Sequence, residues 1–220
     1  MKLYLSSYKL GDKTEELKRW IAEHNNKICL IPNSRDVFPD GERKVTGIQA
    51  DVKDLESLGF DVTVISLKDY FNRKEELSKR LEEFNAFYVI GGNTFALRQA
   101  MYLSGFDEYL KSIEDKPDYL YAGYSAGICV LAKNMHGLDV CDDPSINPYG
   151  IETIWEGLGY FDYIFLPHYK SDHKETKLID DSVEYCNKNN IKYRTLRDGD
   201  VIIADTCKSI CLLYTSDAAD

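Results

Sequence analysis

The chain contains no apolar run approaching the ~20 residues that a membrane-spanning helix needs. It also lacks a surplus of positive charge. Its 27 lysines and arginines face 37 aspartates and glutamates, a formal net charge of −10. So acidic a surface repels nucleic-acid phosphates and anionic lipid, and neither a nucleic acid nor a membrane is expected as a partner. Cysteine occurs six times, at Cys29, Cys129, Cys141, Cys186, Cys207 and Cys211, yet no two form a C-x-x-C pair. This spacing disfavours a zinc knuckle or disulfide framework and reads as free thiols in a reducing cytoplasm. The opening Met1-Lys2-Leu3-Tyr4-Leu5-Ser6-Ser7-Tyr8 is too short and polar for a secretory signal and reads as a first strand. Histidine is scarce. Any chemistry needing an imidazole base must draw on His24, His136, His168 or His173.

At 220 residues, 44% of them hydrophobic, the chain is long enough for one well-buried core. Short apolar runs at 3–7, 28–32, 61–66, 87–90, 119–123, 163–166, 192–196 and 201–204 read as strands. Several are apolar on consecutive positions, as in a parallel sheet covered on both faces. Between them, 13–24, 42–58, 74–83, 94–103, 106–114, 126–132 and 174–189 carry helical periodicity. The alternation predicts an α/β fold, a three-layer α/β/α sandwich with a mostly parallel sheet. A single domain is expected over 1–213, with 208–213 a candidate last strand. Residues 214–220 have no structural logic and read as a non-native tail. The segment 135–159 breaks the rhythm and reads as a long functional loop.

Chemistry concentrates at Gly123-Tyr124-Ser125-Ala126-Gly127, where an apolar run gives way to a helix-like stretch. G-x-S-x-G at a strand-to-helix turn is a nucleophile elbow. The tight turn lifts the serine hydroxyl clear of the sheet and aims the next backbone N–H at a developing oxyanion. Ser125 is therefore the candidate nucleophile. Its base should lie at the C-terminal edge of the sheet, where catalytic groups of open α/β folds collect. His168, after the run Tyr163-Ile164-Phe165-Leu166-Pro167, meets that requirement. His24 ends an amphipathic helix, His136 lies in the irregular segment, and His173 sits in a charged helix entry. Asp139, Asp142, Asp143, Glu152 and Glu156 lie between the serine and the histidine, and each is a candidate acid.

A second cluster, Gly91-Gly92-Asn93-Thr94, follows the 87–90 strand. Adjacent glycines at a strand end let backbone N–H groups approach a ligand, so Gly92 is read as the partner of Ala126 in an oxyanion hole. The bland reading is a tight turn with Asn93 or Thr94 capping a helix.

Gly91-Gly92-Asn93-Thr94-Phe95, Gly123-Tyr124-Ser125-Ala126-Gly127 and Pro167-His168-Tyr169, in that order, resemble the dipeptidase E family of serine peptidases. The resemblance implies a class I glutamine amidotransferase-like (flavodoxin-like) fold with a nucleophile elbow. It implies Ser125 as nucleophile, His168 as base, Gly92 and Ala126 as oxyanion donors, and Asn93 in substrate binding. Counting back from Asn147-Pro148-Tyr149-Gly150 puts the family's acid at Asp142, with Asp143, Asp139 and Glu156 as alternatives. The implied substrate is a small peptide, in the narrowest form a dipeptide with an acidic first residue, for which Arg98 and Lys170 are the nearest cations. No cofactor and no metal is implied. The sequence is compatible with a homodimer and does not determine the assembly.

Three other readings compete. An α/β-hydrolase esterase shares the elbow, but commonly places its histidine nearer the C-terminus than His168 lies. A non-catalytic binding or regulatory module on the same fold would leave Ser125 unreactive. A glutamine amidotransferase proper would want cysteine at 125, and Cys129 comes one turn too late.

Overall fold

The computed structural model describes residues 1–206. Cys207, Cys211, the candidate strand at 208–213 and the tail at 214–220 lie outside the described residues. In chain order the elements are β1 (Lys2–Ser6), α1 (Thr14–Glu23), β2 (Lys27–Ile31), α2 (Glu42–Ser57) and β3 (Asp61–Val64). Next come α3 (Lys74–Leu81), β4 (Ala86–Val89), α4 (Thr94–Ser104), α5 (Phe106–Ile113), β5 (Leu120–Tyr124) and α6 (Ala126–Cys129). The last are β6 (Ile164–Leu166), α7 (Thr176–Asn189), β7 (Tyr193–Thr195) and β8 (Val201–Asp205). Short 3-10 turns occupy Asn33–Arg35 and Leu67–Tyr70.

Six strands form one sheet in the order β3-β2-β4-β5-β1-β8, parallel except for β8, which runs antiparallel to β1 at the edge. The pleat divides the core in two, because successive side chains point to opposite faces. Phe87 and Val89 of β4 and Tyr121 of β5 join α3, α4, α5, α6 and α7 on one side. Ala86 and Tyr88 of β4 with Leu120 and Ala122 of β5 pack with Leu17 and Trp20 of α1 and Leu55 of α2 on the other. This is the expected three-layer α/β sandwich. No helix among the described residues is long and apolar enough to cross a membrane.

Two elements depart from expectation. The 163–166 and 192–196 runs do form strands, but β6 and β7 pair with each other in a separate two-stranded parallel sheet. The helix expected over 126–132 stops at Cys129. The far end of the irregular segment takes the backbone that would have continued it. Leu158 N–H donates to Val130 O at 2.8 Å, Tyr160 N–H to Leu131 O at 2.9 Å and Lys133 N–H to Phe161 O at 2.7 Å.

That irregular segment is fastened by buried polar side chains of α4. Gln99 Nε2 donates to the Ile151 and Glu152 carbonyls, and Arg98 Nε to Glu156 O at 2.8 Å. Tyr149 OH, near its middle, reaches Asp36 Oδ2 at 2.6 Å.

Candidate active site

Parallel pairing brings the C-terminal ends of β1, β4 and β5 to one edge. Leu5 stands opposite Gly123, and Gly123 opposite Val89. The motifs that follow these strands, Ser7, Gly91-Gly92 and Ser125, therefore emerge side by side. The burial pattern marks the opening. Residues 86–101 are buried except Gly92, and 120–132 are buried except Ser125.

Ser125 has φ 50° and ψ −118°, a conformation that non-glycine residues avoid and that marks a strained turn. Its carbonyl accepts the Ile128 and Cys129 N–H groups at 2.9 and 3.0 Å, so α6 begins at once after the serine. Two glycines make room. A Cβ on Gly127 would stand 2.2 Å from Val89 O, and one on Gly91 would stand 2.9 Å from Ser125 Cβ. Both distances are below any tolerable contact, so the two glycine motifs are packed against each other through the elbow. Neither the Gly92 nor the Ala126 N–H finds an acceptor among the described residues. Two unpaired donors beside a half-buried, accessible serine are what an oxyanion hole requires.

His168 Nε2 lies 3.3 Å from Ser125 Oγ. The histidine is buried, with φ 65°, and its own N–H donates to Ser7 Oγ at 2.9 Å. Its Nδ1 stands 2.7 Å from Asp198 Oδ1. A carboxylate accepts only, so Nδ1 carries the proton and Nε2 faces the serine with a free lone pair. Burial holds the imidazole below its ordinary value. Asp198 pulls it upward, and the neighbouring His173 adds to the lowering. The result is a neutral ring at neutral pH, as a general base must be.

Asp198 is the residue that the sequence reading passed over, having sought an acid only between Ser125 and His168. It sits in the tight Arg197-Asp198-Gly199-Asp200 turn between β7 and β8, where Asp200 Oδ2 accepts the Arg197 N–H at 2.8 Å. Ser171 Oγ accepts the Asp198 N–H at 2.8 Å, and Ser7 Oγ donates to Asp198 Oδ1 at 3.2 Å. Ser7 thus bridges the His168 backbone and the Asp198 carboxylate, a second contact that the sequence reading missed. The available signal was the same strand-end rule that selected His168, applied to β7.

Asp142, the acid expected from the resemblance, stands elsewhere. Its Oδ2 accepts the Thr94 N–H at 2.8 Å, at the start of α4. The carboxyl is enclosed there. Burial pushes it up to about 6, against hydrogen bonding from Thr94 and with Glu175 adding to the rise. The Nδ1 position of His168 that Asp142 would have needed is held by Asp198. Asp143 turns to Ser145, Asp139 to the Gly137 N–H, and Glu152 and Glu156 lend their carbonyls to α4.

Asn93 adopts the capping alternative. Its Oδ1 accepts the Ala96 N–H at 2.9 Å and its Nδ2 donates to Asp143 O at 3.1 Å, so both ends of the amide are engaged within the protein. Arg98 is paired with Asp107 at 2.9 Å. Lys170 is exposed, its ammonium 5.0 Å from the Tyr169 ring centroid. Cys129 is buried, its thiol turned to Phe165 O at 3.4 Å.

Behind the elbow runs a charged chain. Arg35 Nη2 donates to Tyr124 OH at 2.7 Å, Tyr124 OH donates to Asp51 Oδ1 at 3.1 Å, and Arg35 Nε donates to Gly91 O at 3.2 Å. Asp51 is buried and pairs with both Arg35 (2.8 Å) and Lys9 (3.1 Å). One guanidinium therefore holds the carbonyl before Gly92 and the side chain before Ser125.

Comparison with known proteins shows the family. A family model for Peptidase family S51 matches residues 4–208, and the chain belongs to that family, the dipeptidase E family of serine peptidases. It is 29% identical to the uncharacterized peptidase Lmo0363 of Listeria monocytogenes, over 74% of this chain and 76% of that protein. It is 29% identical to the uncharacterized peptidase Lin0382 of Listeria innocua, over 66% of this chain and 65% of that one. With Peptidase E of Streptomyces coelicolor it shares 32% over 54% of this chain and 49% of that protein. The chain thus spans under two thirds of the latter two relatives. A crystal structure of a provisionally named Peptidase E protein from Listeria monocytogenes EGD-e superposes with a TM-score of 0.77 at 22% identity, covering 99% of this chain and 98% of that one. A peptidase from an acI-B1 Actinobacterium gives 0.67 at 16% identity, over 93% and 83%. At these identities the structural likeness speaks to the fold.

Proposed function

We propose that the chain hydrolyses small peptides through an acyl-enzyme, with Ser125 as nucleophile, His168 as general base and Asp198 as the orienting acid. The observation that carries this reading is the unbroken line from Ser125 Oγ through His168 to Asp198, with spacings of 3.3 and 2.7 Å. Ser125 Oγ attacks the scissile carbonyl and its proton passes to His168 Nε2. Asp198 keeps the ring in the productive tautomer and stabilises the imidazolium without taking its proton. The Gly92 and Ala126 N–H groups hold the oxyanion. His168 then protonates the leaving amine, and water, deprotonated by the same histidine, releases the acid product.

A dipeptide with an acidic first residue is the narrowest substrate the family suggests. Of the two cations considered for it, Arg98 is committed to Asp107, which leaves Lys170, two residues from His168. The four described cysteines are free thiols, in keeping with a reducing compartment such as the cytoplasm.

The test is a fluorophosphonate probe together with a dipeptide panel that includes aspartyl and glutamyl first residues. Labelling should map to Ser125, and Ser125→Ala should lose turnover by roughly 10⁴-fold or more without a change in Tm. Retained turnover in that variant would sink the covalent mechanism. A panel on which acidic first residues give no advantage would remove the narrower specificity only.

A further inference from the structure

His173 lies in the charged Lys170-Ser171-Asp172-His173-Lys174 stretch, and the mechanism above gives it no role. Its ring stacks on that of His168, with centroids 3.7 Å apart and planes 9° from parallel. Glu175 follows two residues later. One nitrogen from each histidine and one carboxylate oxygen of Glu175 all lie within 4.8 Å of one another. We propose that His168, His173 and Glu175 form a site for a divalent transition-metal ion, of which Zn²⁺ is the best match, and that filling it switches the hydrolase off.

The donor chemistry is the first argument. Two imidazoles and a carboxylate are a set that zinc accepts in tetrahedral geometry, at about 2.0–2.2 Å, with the fourth position left to water or a hydroxyl. Donors around such an ion stand roughly 3.4 Å apart and imidazole lone pairs lie in the ring plane, so the three groups must draw together by about an ångström and the His173 ring must turn out of its stack on His168. They have the freedom to do so. His173 is half-buried in a segment without helix or strand, and the one hydrogen bond to its ring among the described residues is a long contact, from the Glu175 N–H to Nδ1 at 3.3 Å, with the Tyr8 ring on its flank at 5.4 Å. Among the described residues the one ion pair of the Glu175 carboxylate is with the exposed Lys174 ammonium, at 3.7 Å.

His168 is already prepared as a ligand. Asp198 accepts its Nδ1 proton and so presents the Nε2 lone pair outward. A carboxylate behind a histidine in this way raises its basicity and orients it toward a metal. Glu175 and Asp198 bring two negative charges to the cluster, and the chain carries a formal net charge of −10, both of which draw a dication inward. A metal on Nε2 occupies the lone pair that would accept the Ser125 proton, so a filled site is an inactive one. The inhibitory half rests on His168 acting as the base, whereas the binding half does not.

The test uses Zn²⁺ alone. Calorimetry should find one ion bound per chain. Saturating zinc should slow fluorophosphonate labelling of Ser125 at least tenfold, and EDTA should restore it. Glu175→Gln and His173→Gln should each weaken zinc by roughly tenfold or more, with metal-free Tm unchanged. Zinc that binds wild type and both variants alike overturns the proposal, as does zinc that binds without slowing labelling. Because calorimetry needs no substrate, the two readings fail separately. Site-specific zinc uptake by a protein that cleaves no peptide would sink the peptidase reading, and peptide cleavage without zinc uptake would sink the metal site.

Discussion

Asp198 Oδ1 stands 2.7 Å from His168 Nδ1 across thirty residues of chain. Strand pairing makes the meeting possible. In the small sheet Leu166 of β6 is opposite Thr195 of β7, and beyond the strands Leu196 N–H donates to Leu166 O at 3.0 Å and Tyr169 N–H to Leu196 O at 2.9 Å. The two chain ends are thereby zipped together, and histidine and aspartate leave them at the same level.

This relationship ranks two carboxylates. Asp198→Asn should lower kcat/KM by roughly 10³- to 10⁴-fold, because the amide favours the wrong imidazole tautomer. Asp142→Asn should stay within a few-fold of wild type. Steady-state rates on a cleaved dipeptide decide the matter, and the reverse ranking would return Asp142 to the acid's place.

The pH dependence follows from His168. Protonated imidazole cannot accept the Ser125 proton, so activity must rise as pH climbs through the histidine's pKa. Burial holds that pKa below its ordinary value. The acid limb of Ser125 labelling should therefore have its midpoint below about 6.5. Asp198 pulls the histidine upward, so in Asp198→Asn the midpoint should move lower still. A wild-type midpoint above about 7 would contradict the buried, neutral base.

Asp142 gives a stability signature of opposite sign. Its carboxyl is pushed from 3.8 to about 6 in the folded chain, so the folded state holds the proton more tightly than the unfolded one. Stability from this group therefore falls as pH rises from about 4 to about 6, and the penalty persists above that window. Asp142→Asn keeps an oxygen acceptor for the Thr94 N–H and never ionises. Thermal unfolding should give a Tm above wild type at about pH 8 and no higher at about pH 4.

Arg35 should act at a distance from the chemistry. Arg35→Met leaves buried Asp51 with Lys9 as its remaining cation and should destabilise the fold by about 3 kcal/mol, the lower end for breaking a buried pair. It should also lower kcat more than it raises KM, because Gly91 and Tyr124 lose their common tether. Adding Asp51→Leu should recover Tm without recovering kcat. Recovery of both would show that the arginine serves stability alone.

The sequence by itself determined the alternation of strands and helices, the two-sided core, the tight strand-to-helix turn at Ser125, the Gly91-Gly92 turn and the strand-end histidine. Each is a local pattern, written in the residues that form it. A buried strand is apolar along its own length, a tight turn of this kind needs its glycines within two positions of the serine, and a histidine at a sheet edge follows its own strand. Only the tertiary structure decided which acid meets His168, that Ser7 bridges the two, and that Arg35 ties the two glycine motifs together. Asp198 follows the end of β7, but that position does not say that it, rather than another acid, meets His168. Its place depends on β6 and β7 leaving the main sheet to pair with each other. Asp142, nearer in sequence to the serine, was carried instead to the start of α4, where the unpaired N–H groups of a helix drew its carboxylate. Strand pairing between distant segments is a contest of packing and hydrogen bonding across the whole molecule, and no stretch of sequence records its outcome alone.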